Sequence, residues 1–248
     1  HMINQLVIIT GSSRGIGKAV AEVFLNKAPD NFVIGVARTA MAENTENSKT
    51  IQADLSHLEG CESLLAQLIS FVDNNPTEKL LLINNAGRLG DVLPSYQTVA
   101  NDLAQTVFLN MTAPMILQNG LLALSVEKSL PLEIVNISSG AARHEYYGWS
   151  GYCATKAGFL MATQVLGLEI SQLQHNAKVW SLAPGIVDTA MQDEIRSRTP
   201  EQFAEVERFK TFHAEGQLRS PESVADFIFQ AVGNEKFQNG GFYDIRDL

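Results

Sequence analysis

Short apolar segments alternate with amphipathic segments along the whole chain, and this alternation restricts the possible folds more than any other feature. Five segments are almost wholly apolar over five to seven positions, as strands buried on both faces are. They are LVIIT (6–10), FVIGVA (32–37), KLLLIN (79–84), LEIVNIS (132–138) and AKVWSLA (177–183). TIQAD (50–54) and GFYDI (241–245) are weaker candidates. The pattern predicts a sheet of seven strands.

The segments between the apolar runs carry hydrophobic residues at helical spacing. The first predicted helix presents Ile16, Ala19, Val20, Val23 and Phe24, and the second presents Leu58, Cys61, Leu65, Leu68, Ile69 and Val72. Near the C-terminus, Ser220 can cap a helix that begins at Pro221 and turns Val224, Phe227, Ile228 and Ala231 inward. Strands that alternate with helices need crossover connections, which make the sheet parallel and cover both of its faces.

The predicted fold class is therefore α/β, with one doubly wound domain over residues 2–248. Its sheet is seven-stranded and mostly parallel, with helices on both faces. In such folds the ligands bind beyond the C-terminal ends of the strands.

Composition argues against several classes of partner. The formal net charge is -9 and no run of five or more basic residues occurs, so we expect neither a nucleic-acid nor an anionic-membrane partner. No uninterrupted apolar run reaches the roughly 18 residues typical of a membrane span. The two cysteines, Cys61 and Cys153, show no metal-binding spacing, which predicts no metal site and a reducing, cytoplasmic location.

The segment TGSSRGIG (10–17) follows the first strand and opens the first helix. Gly11, Gly15 and Gly17 let the backbone turn tightly, while the helix N-terminus presents free amides and its positive dipole end to an anion. A pyrophosphate fits this arrangement. The spacing is Gly-x-x-x-Gly-x-Gly, and three glycines alone are equally compatible with an ordinary turn. The strand before and the amphipathic helix after them favour a dinucleotide site.

The end of the second strand indicates which dinucleotide is bound. NAD sites usually place a carboxylate there for the ribose 2′-hydroxyl, but this chain has Ala37 and Arg38. Arg14 in the glycine turn is a second cation, and two guanidinium groups suit a 2′-phosphate. Each arginine alone is equally typical of a solvated surface. Together they predict NADPH/NADP rather than NAD.

A tyrosine and a lysine lie four residues apart in a segment predicted to be helical. Tyr152 and Lys156 therefore share one helix face, and a cation beside a phenol lowers the phenol pKa from about 10. Tyr152 then becomes a usable general acid toward a carbonyl oxygen. Ser138 and Ser139 end the preceding strand, where a hydroxyl can hold that carbonyl.

These motifs occur in the order and approximate spacing of the short-chain dehydrogenase/reductase family, which the chain resembles over nearly its full length. The segments that carry the resemblance are TGSSRGIG, ADL (53–55), NNAG (84–87), Asn110, the serine-containing strand, YCATK (152–156) and APGIVDT (183–189). The resemblance implies a Rossmann-type domain and an NADP-dependent oxidoreductase acting on CH–OH and carbonyl groups.

The resemblance also implies four catalytic roles. Tyr152 would donate the proton, while Lys156 would lower the tyrosine pKa and bind the nicotinamide ribose. Ser139 would orient the carbonyl, with Ser138 as the second choice, and Asn110 would hold a proton-relay water. Taken without the resemblance, Asn110 would be a helix-surface amide and NNAG a turn.

The same resemblance implies the cofactor contacts. Residues 54–55 would border the adenine, residues 85–87 the adenosine ribose, and residues 184–189 the nicotinamide end. The full set is Gly11, Ser13, Arg14, Gly15, Ile16, Gly17, Arg38, Asp54, Leu55, Asn85, Ala86, Gly87, Tyr152, Lys156, Pro184, Gly185, Ile186 and Thr189.

Within the family, two segments resemble the sepiapterin reductase and benzil reductase group, which reduces side-chain carbonyls and diketones with NADPH. They are SSGAARHEYYGWSGY (138–152) and APGIVDTAMQDEIR (183–196). The implied substrate residues are Ser139, Tyr146, Tyr147, Trp149 and Met191. Each aromatic ring is equally compatible with a place in the core or at a subunit contact. The charged, helix-patterned segment 189–219 is predicted to be a substrate lid.

One departure separates the chain from a sepiapterin reductase. That enzyme carries an acidic pterin anchor just before its FYD segment, where this chain has Gly241, although Asp244 could substitute. The predicted function is NADPH-dependent reduction of a ketone or a benzil-like α-dicarbonyl, and pterin side-chain reduction is the alternative. An alternative of another class is a non-catalytic NADP-sensing protein, which the intact catalytic residues argue against. The family resemblance also implies a homodimer formed through the helices that carry Asn110 and Tyr152, although the apolar faces of these helices are equally compatible with the protein core.

Overall fold

A single sheet of seven strands organises the computed structural model, which describes residues 2–39 and 44–248. The strands are β1 (Leu6–Thr10), β2 (Phe32–Ala37), β3 (Ser48–Gln52), β4 (Leu80–Asn84), β5 (Leu132–Ile137), β6 (Ala177–Ala183) and β7 (Gly241–Asp244). Their order is β3-β2-β1-β4-β5-β6-β7, and every neighbouring pair is parallel. The predicted fold class is confirmed. Because the strand order reverses between β1 and β4, a crevice opens there at the C-terminal edge of the sheet.

Helices cover both faces of this sheet. They are α1 (Gly15–Lys27), α2 (Leu58–Asn74), α3 (Ala100–Val107), α4 (Ala113–Lys128), α5 (Ser150–Gln172), α6 (Ala190–Arg196), α7 (Val206–Ala214) and α8 (Pro221–Ala231). Alternate side chains of β1 point to opposite faces: Leu6 and Ile8 pack with α2 and α4, while Val7 and Ile9 pack with α1 and α8. Each face thus has its own apolar core.

Helix α8 begins where the sequence signals place it, whereas the buried face of α2 differs from its apolar pattern at two positions. Ser220 Oγ accepts a hydrogen bond from the Ser223 amide at 3.1 Å, and α8 begins at Pro221 as predicted. On α2, Leu64 is fully buried, whereas Leu58 and Ile69, two of the apolar residues at helical spacing, are 47% and 39% exposed. Cys61, Leu64, Leu68 and Val72 form the inward face, because it is this row that meets the sheet.

Residues Ala100–Lys128 form one continuous helix that is long and apolar enough to cross a membrane by length and composition alone. The sequence contains no uninterrupted apolar run of that length, and the property emerges only when hydropathy is averaged along the helix. Leu117, Leu121 and Leu124 of this helix are buried in the core against the sheet. The helix therefore serves as a covering layer of the sheet.

A buried polar network fixes the helix that carries the tyrosine–lysine motif. Asn136 in β5 donates from Nδ2 to Gln118 Oε1 of α4 and to Thr163 Oγ1 of α5, both at 3.0 Å. Asn84 in β4 donates to Asn136 Oδ1 at 2.9 Å. Buried polar groups are costly unless they are paired, so these bonds set the position of α5 relative to β4 and β5.

Candidate active site

The glycine turn after β1 has a backbone that only glycine adopts comfortably. Gly11 and Gly15 have φ of +67° and +56°, and a Cβ on Gly17 would overlap the carbonyl oxygen of Gly11. The turn leads directly into α1, whose first amides are left free for a ligand. This cradle fits the pyrophosphate of a dinucleotide.

The turn after β4 packs directly on the glycine turn. The Asn85 and Ala86 amides both donate to Thr10 Oγ1 at 3.0 Å, and Asn85 Nδ2 donates to the Thr10 and Gly11 carbonyls, each at 3.2 Å. Gly87 lies next to Asn110, because a Cβ on it would approach Asn110 Oδ1 to 3.3 Å. Composition and periodicity could not show that the NNAG segment is part of the same site as the glycine turn.

The adenine end of the predicted cofactor site lies at the ends of β2 and β3. Arg14 and Arg38 are both exposed, and Leu55 is buried. The Ser56 hydroxyl and amide donate to Asp54 Oδ1 and hold the pKa of that carboxyl below its usual range, and the charge of Arg38 contributes to the same effect. Arg38 and Asp54 therefore lie near enough for the positive charge of Arg38 to act on the Asp54 carboxylate.

The predicted catalytic residues Tyr152 and Lys156 are buried near the C-terminal end of β5, next to the half-buried Ser139. Tyr152 and Lys156 are only 7% and 8% exposed, and Lys156 Nζ lies 5.6 Å from the centre of the Tyr152 ring. Ser139 lies close enough to the Tyr152 hydroxyl to lower the pKa of that phenol, while Lys156 Nζ donates to the Ile137 carbonyl at 3.1 Å. Ser138 is buried beside them and donates from its amide to the Leu182 carbonyl.

Burial is the main cause of the pKa shifts of Tyr152 and Lys156. It raises the pKa of Tyr152 to about 12, outweighing the opposite effect of the Ser139 side chain, and it lowers the pKa of Lys156 to about 8. The prediction that Tyr152 has a lowered pKa is therefore wrong for the protein alone, because desolvation of the phenolate dominates. The phenol remains protonated at neutral pH and can act as an acid.

Asn110 lies inside the protein and not on a helix surface. It sits in a π turn, Phe108–Thr112, between α3 and α4 and is 2% exposed. Its Nδ2 donates to the Arg88 carbonyl at 2.8 Å and to Thr155 Oγ1 at 3.3 Å, and its Oδ1 accepts from the Arg88 amide at 2.8 Å. Asn110 therefore joins the loop after β4 to the helix that carries Tyr152.

An aromatic cluster packs against Tyr152, the predicted proton donor. Trp149 stacks on Phe203 with ring centres 4.8 Å apart and meets the Tyr152 ring edge-on at 5.5 Å. Tyr146 and Phe209 also contact Trp149, at 4.8 Å and 5.8 Å. Phe203 and Phe209 come from the segment 189–219. Sequence reasoning missed both, although aromatic residues at 203, 209 and 212 were a visible signal.

Of the two remaining predicted substrate residues, Met191 contacts this cluster and Tyr147 does not. Met191 packs against it. Tyr147 is 54% exposed and lies outside it, where it lines an open cavity of about 460 Å³ together with Pro94 and Tyr96.

The loop after β6 joins the nicotinamide end of the site to the glycine turn. Gly185 has φ of +72°, and a Cβ on Gly15 would lie 3.5 Å from Thr189 Cγ2. Pro184 and Ile186 flank Gly185, so the predicted nicotinamide contacts start at the C-terminal end of β6. The ends of β1, β4, β5 and β6 converge on one crevice, as the fold requires.

A C-terminal ion pair borders the same crevice and was not predicted. Asp244 Oδ1 accepts from the Arg246 amide and Nε, both at 2.9 Å, and Asp244 Oδ2 accepts from Arg246 Nη2 at 2.6 Å. Asp244 has 12% of its side chain exposed. Both carboxylate oxygens thus accept hydrogen bonds from Arg246, and a pterin would have to compete with this ion pair for Asp244.

Comparison with known proteins places these features in context. Residues 5–200 match the short chain dehydrogenase family model. A benzil reductase ((S)-benzoin forming) of Bacillus cereus is 35% identical over 243 residues, which cover 95% of this chain and 97% of the relative. A benzil reductase of the same description from Bacillus subtilis (strain 168) is 34% identical over 244 residues, covering 98% and 99%. A sepiapterin reductase of Rattus norvegicus is 34% identical over 259 residues, covering 97% and 96%.

Solved structures show the same fold. The crystal structure of the KRED1-Pglu enzyme superimposes with a TM-score of 0.83 at 24% identity, covering 97% of this chain and all of that one. The 4-hydroxyisoleucine dehydrogenase complexed with NADH gives a TM-score of 0.79, also at 24% identity, and covers 98% and 97%.

Proposed function

Because the chain belongs to the short-chain dehydrogenase/reductase family, as an oxidoreductase of carbonyl and CH–OH groups with a nicotinamide cofactor, we propose that it reduces α-dicarbonyl compounds such as benzil with NADPH. The observation that carries the proposal is the buried Tyr152–Lys156 pair, next to the half-buried Ser139 and beneath an aromatic cluster. The likeness to two benzil reductases over nearly the whole chain supports the choice of substrate.

The catalytic roles follow from the geometry of the buried group. The cofactor, when bound in the cradle formed by the glycine turn, supplies the hydride. Ser139 holds the carbonyl oxygen against the phenol, and Tyr152 donates its proton to that oxygen. Lys156, charged below about pH 8, favours the phenolate that proton transfer leaves. Asn110 holds the loop after β4 against α5, where it would also hold a proton-relay water.

The segment 189–219 acts as the lid. It buries Phe203 and Phe209 against Trp149 and leaves Tyr152 only 7% exposed, so it must move outward to admit a substrate. Trp149, Tyr146 and Met191 then offer apolar surface to an aryl group. Tyr147 contributes at the outer mouth.

The substrate proposal is tested by following NADPH oxidation with benzil, 1-phenyl-1,2-propanedione and sepiapterin. We expect turnover of both diketones and slow or no turnover of sepiapterin. The reason is that Arg246 already donates to both oxygens of Asp244, the residue that could anchor a pterin. Faster turnover of sepiapterin would favour the pterin alternative, which the likeness to sepiapterin reductases supports. Tight NADPH binding without reduction of any carbonyl would favour a non-catalytic NADP-sensing protein.

The cofactor preference rests on Arg14, Arg38 and the absence of a carboxylate at Ala37. We expect Arg38→Asp to weaken NADPH binding about 10- to 100-fold, because it removes charge-assisted bonds to the 2′-phosphate and adds repulsion. NADH binding should change little or improve. Fluorescence titration of both cofactors measures the effect. The control is Lys79→Asp, an equal charge change just before β4, at the N-terminal ends of the strands and away from the crevice. Equal weakening of both cofactors by Arg38→Asp would contradict the assignment.

We infer that the protein is a cytoplasmic homodimer. Helices α3 and α5, which lie beside each other, leave apolar side chains exposed. These are Leu103 at 41%, Met161 at 59%, Val165 at 44% and Leu168 at 70%. A second copy of the same surface would bury them, and light scattering measures the mass of the resulting particle.

A further inference from the structure

The guanidinium of Arg246 occupies the gap between the two strand ends that form the catalytic crevice. A Cβ on Gly140 would lie 3.9 Å from Arg246 Nη2, and a Cβ on Gly185 would lie 3.6 Å from Arg246 Cγ. Gly140 directly follows Ser139, whose side chain is near enough to the Tyr152 hydroxyl to lower its pKa. The side chain therefore extends from the end of β6 to the residue beside the carbonyl-orienting serine.

Asp244 fixes the orientation of this guanidinium without exhausting its donors. The carboxylate takes the Nε hydrogen and one Nη2 hydrogen. An arginine carries five N–H groups in a planar fork, so both Nη1 hydrogens and the second Nη2 hydrogen are left without an acceptor among residues 2–39 and 44–248. With 55% of the side chain exposed, these groups are open to a ligand that enters the crevice.

The chemistry of these donors selects the kind of ligand. Arginine donates hydrogen bonds and accepts none, so it recognises an oxygen acceptor. Its bidentate pairing with Asp244 balances one positive charge with one negative charge, which suits a neutral carbonyl oxygen. An α-dicarbonyl presents two acceptor oxygens on adjacent carbons and no N–H donor. When Ser139 and Tyr152 hold the reacting oxygen, the second oxygen needs a donor from another element.

We propose that Arg246, fixed by Asp244, is a specificity-determining residue that donates a hydrogen bond to the second, non-reacting carbonyl oxygen of an α-dicarbonyl substrate. The inference rests on the proposed function. It assigns the acid–base chemistry to α5 and β5 and the recognition of the second oxygen to the residues after β7. A monoketone lacks the second oxygen and therefore gains nothing from Arg246.

The test compares 1-phenyl-1,2-propanedione with propiophenone, its monoketone analogue, in the wild type and in Arg246→Met. Methionine keeps an unbranched apolar side chain and removes every donor. We expect kcat/KM for the diketone to fall about 10- to 100-fold, as the loss of a hydrogen bond to a charged donor predicts. The value for propiophenone should change less than about threefold. Arg246→Lys, which keeps one charge without the planar fork, should give an intermediate diketone value.

Controls separate this role from a structural one. Arg219→Met removes another guanidinium whose charge acts on Asp244, and it should leave the diketone-to-monoketone ratio unchanged. Equal losses for both substrates in Arg246→Met, or no loss for either, would overturn the proposal. If Arg246→Met does not fold, Arg246→Lys and Arg246→Gln give the same ratio test. A wild type that reduces neither substrate would refute the proposed function itself, a result distinct from an unchanged ratio.

Discussion

Tyr152→Phe should lower the rate of carbonyl reduction about 10³-fold or more while leaving NADPH binding unchanged. Phenylalanine keeps the ring that meets Trp149 edge-on at 5.5 Å, so the aromatic cluster should stay packed. It removes the hydroxyl that we propose as the proton donor, and general acid catalysis is typically worth about 10²- to 10⁴-fold. The loss should therefore appear in kcat and not in the cofactor dissociation constant.

Two measurements check this result. Absorbance of NADPH under saturating diketone gives kcat, and fluorescence titration gives the cofactor affinity. Tyr96→Phe makes the same chemical change at a tyrosine that is 84% exposed and should behave like the wild type. If Tyr152→Phe retained reduction within about tenfold of the wild type, the phenol could not be the proton donor.

Lys156→Met should abolish most activity and at the same time stabilise the protein at neutral pH. Burial lowers the pKa of Lys156 from 10.5 to about 8, and this difference corresponds to about 3 kcal/mol of unfavourable free energy for the charged form. Methionine has a similar shape without the charge. It loses the bond to the Ile137 carbonyl, worth about 1 kcal/mol, so the net gain in unfolding free energy should be about 1–2 kcal/mol.

The pH dependence distinguishes this cause from better packing. Below about pH 8 the lysine is protonated in both the folded and the unfolded protein, and the full penalty applies. Between about pH 8 and 10.5 the unfolded state binds more protons, so wild-type stability rises with pH in that window. The advantage of Lys156→Met should therefore shrink toward pH 10. Denaturant unfolding at pH 7 and 9.5 measures it, with the exposed Lys236→Met as control. An advantage that did not change with pH would exclude desolvation as its source.

The same variant, Lys156→Met, should also lose most of its activity. The charged lysine favours the phenolate left by proton transfer, so kcat/KM should fall about 10²-fold in Lys156→Met. In the wild type, the same quantity should decline as the pH rises through about 8 and the lysine loses its charge. A residue that lowers stability in order to serve chemistry is expected at an active site.

The sequence could predict those features that depend on local pattern. Apolar runs such as LVIIT have the length of a strand, are rich in β-branched residues and are bounded by turn or amphipathic segments, and LVIIT forms the buried strand β1. The four-residue spacing places Tyr152 and Lys156 on one face of α5 by helix geometry alone. The family resemblance singled out Asn110 as a site residue, whereas its local sequence alone indicated a surface amide; its contact with Thr155 became visible only in the structure.

Features that depend on distant packing could not be predicted. The pKa of Tyr152 is set by burial, and that burial comes partly from Phe203 and Phe209, which are more than fifty positions away in the chain. The contact of Arg246 with Gly140 requires β7 to add beside β6, a pairing that the weak GFYDI pattern only suggests. On α2, the side chains that face inward depend on how the helix rotates against the sheet, and the apolar periodicity does not fix that rotation.

The aromatic cluster over Tyr152 gives the protein a built-in optical probe. The chain has two tryptophans, and they occupy different parts of the molecule. Trp180 is fully buried in the sheet, stacked on Phe237, whereas Trp149 is stacked on Phe203 of the segment 189–219, the proposed lid. Emission from Trp149 therefore reports the movement of that segment, and emission from Trp180 reports only global unfolding. A Trp180→Phe variant would isolate the first signal, so that the opening of the site can be timed without any label.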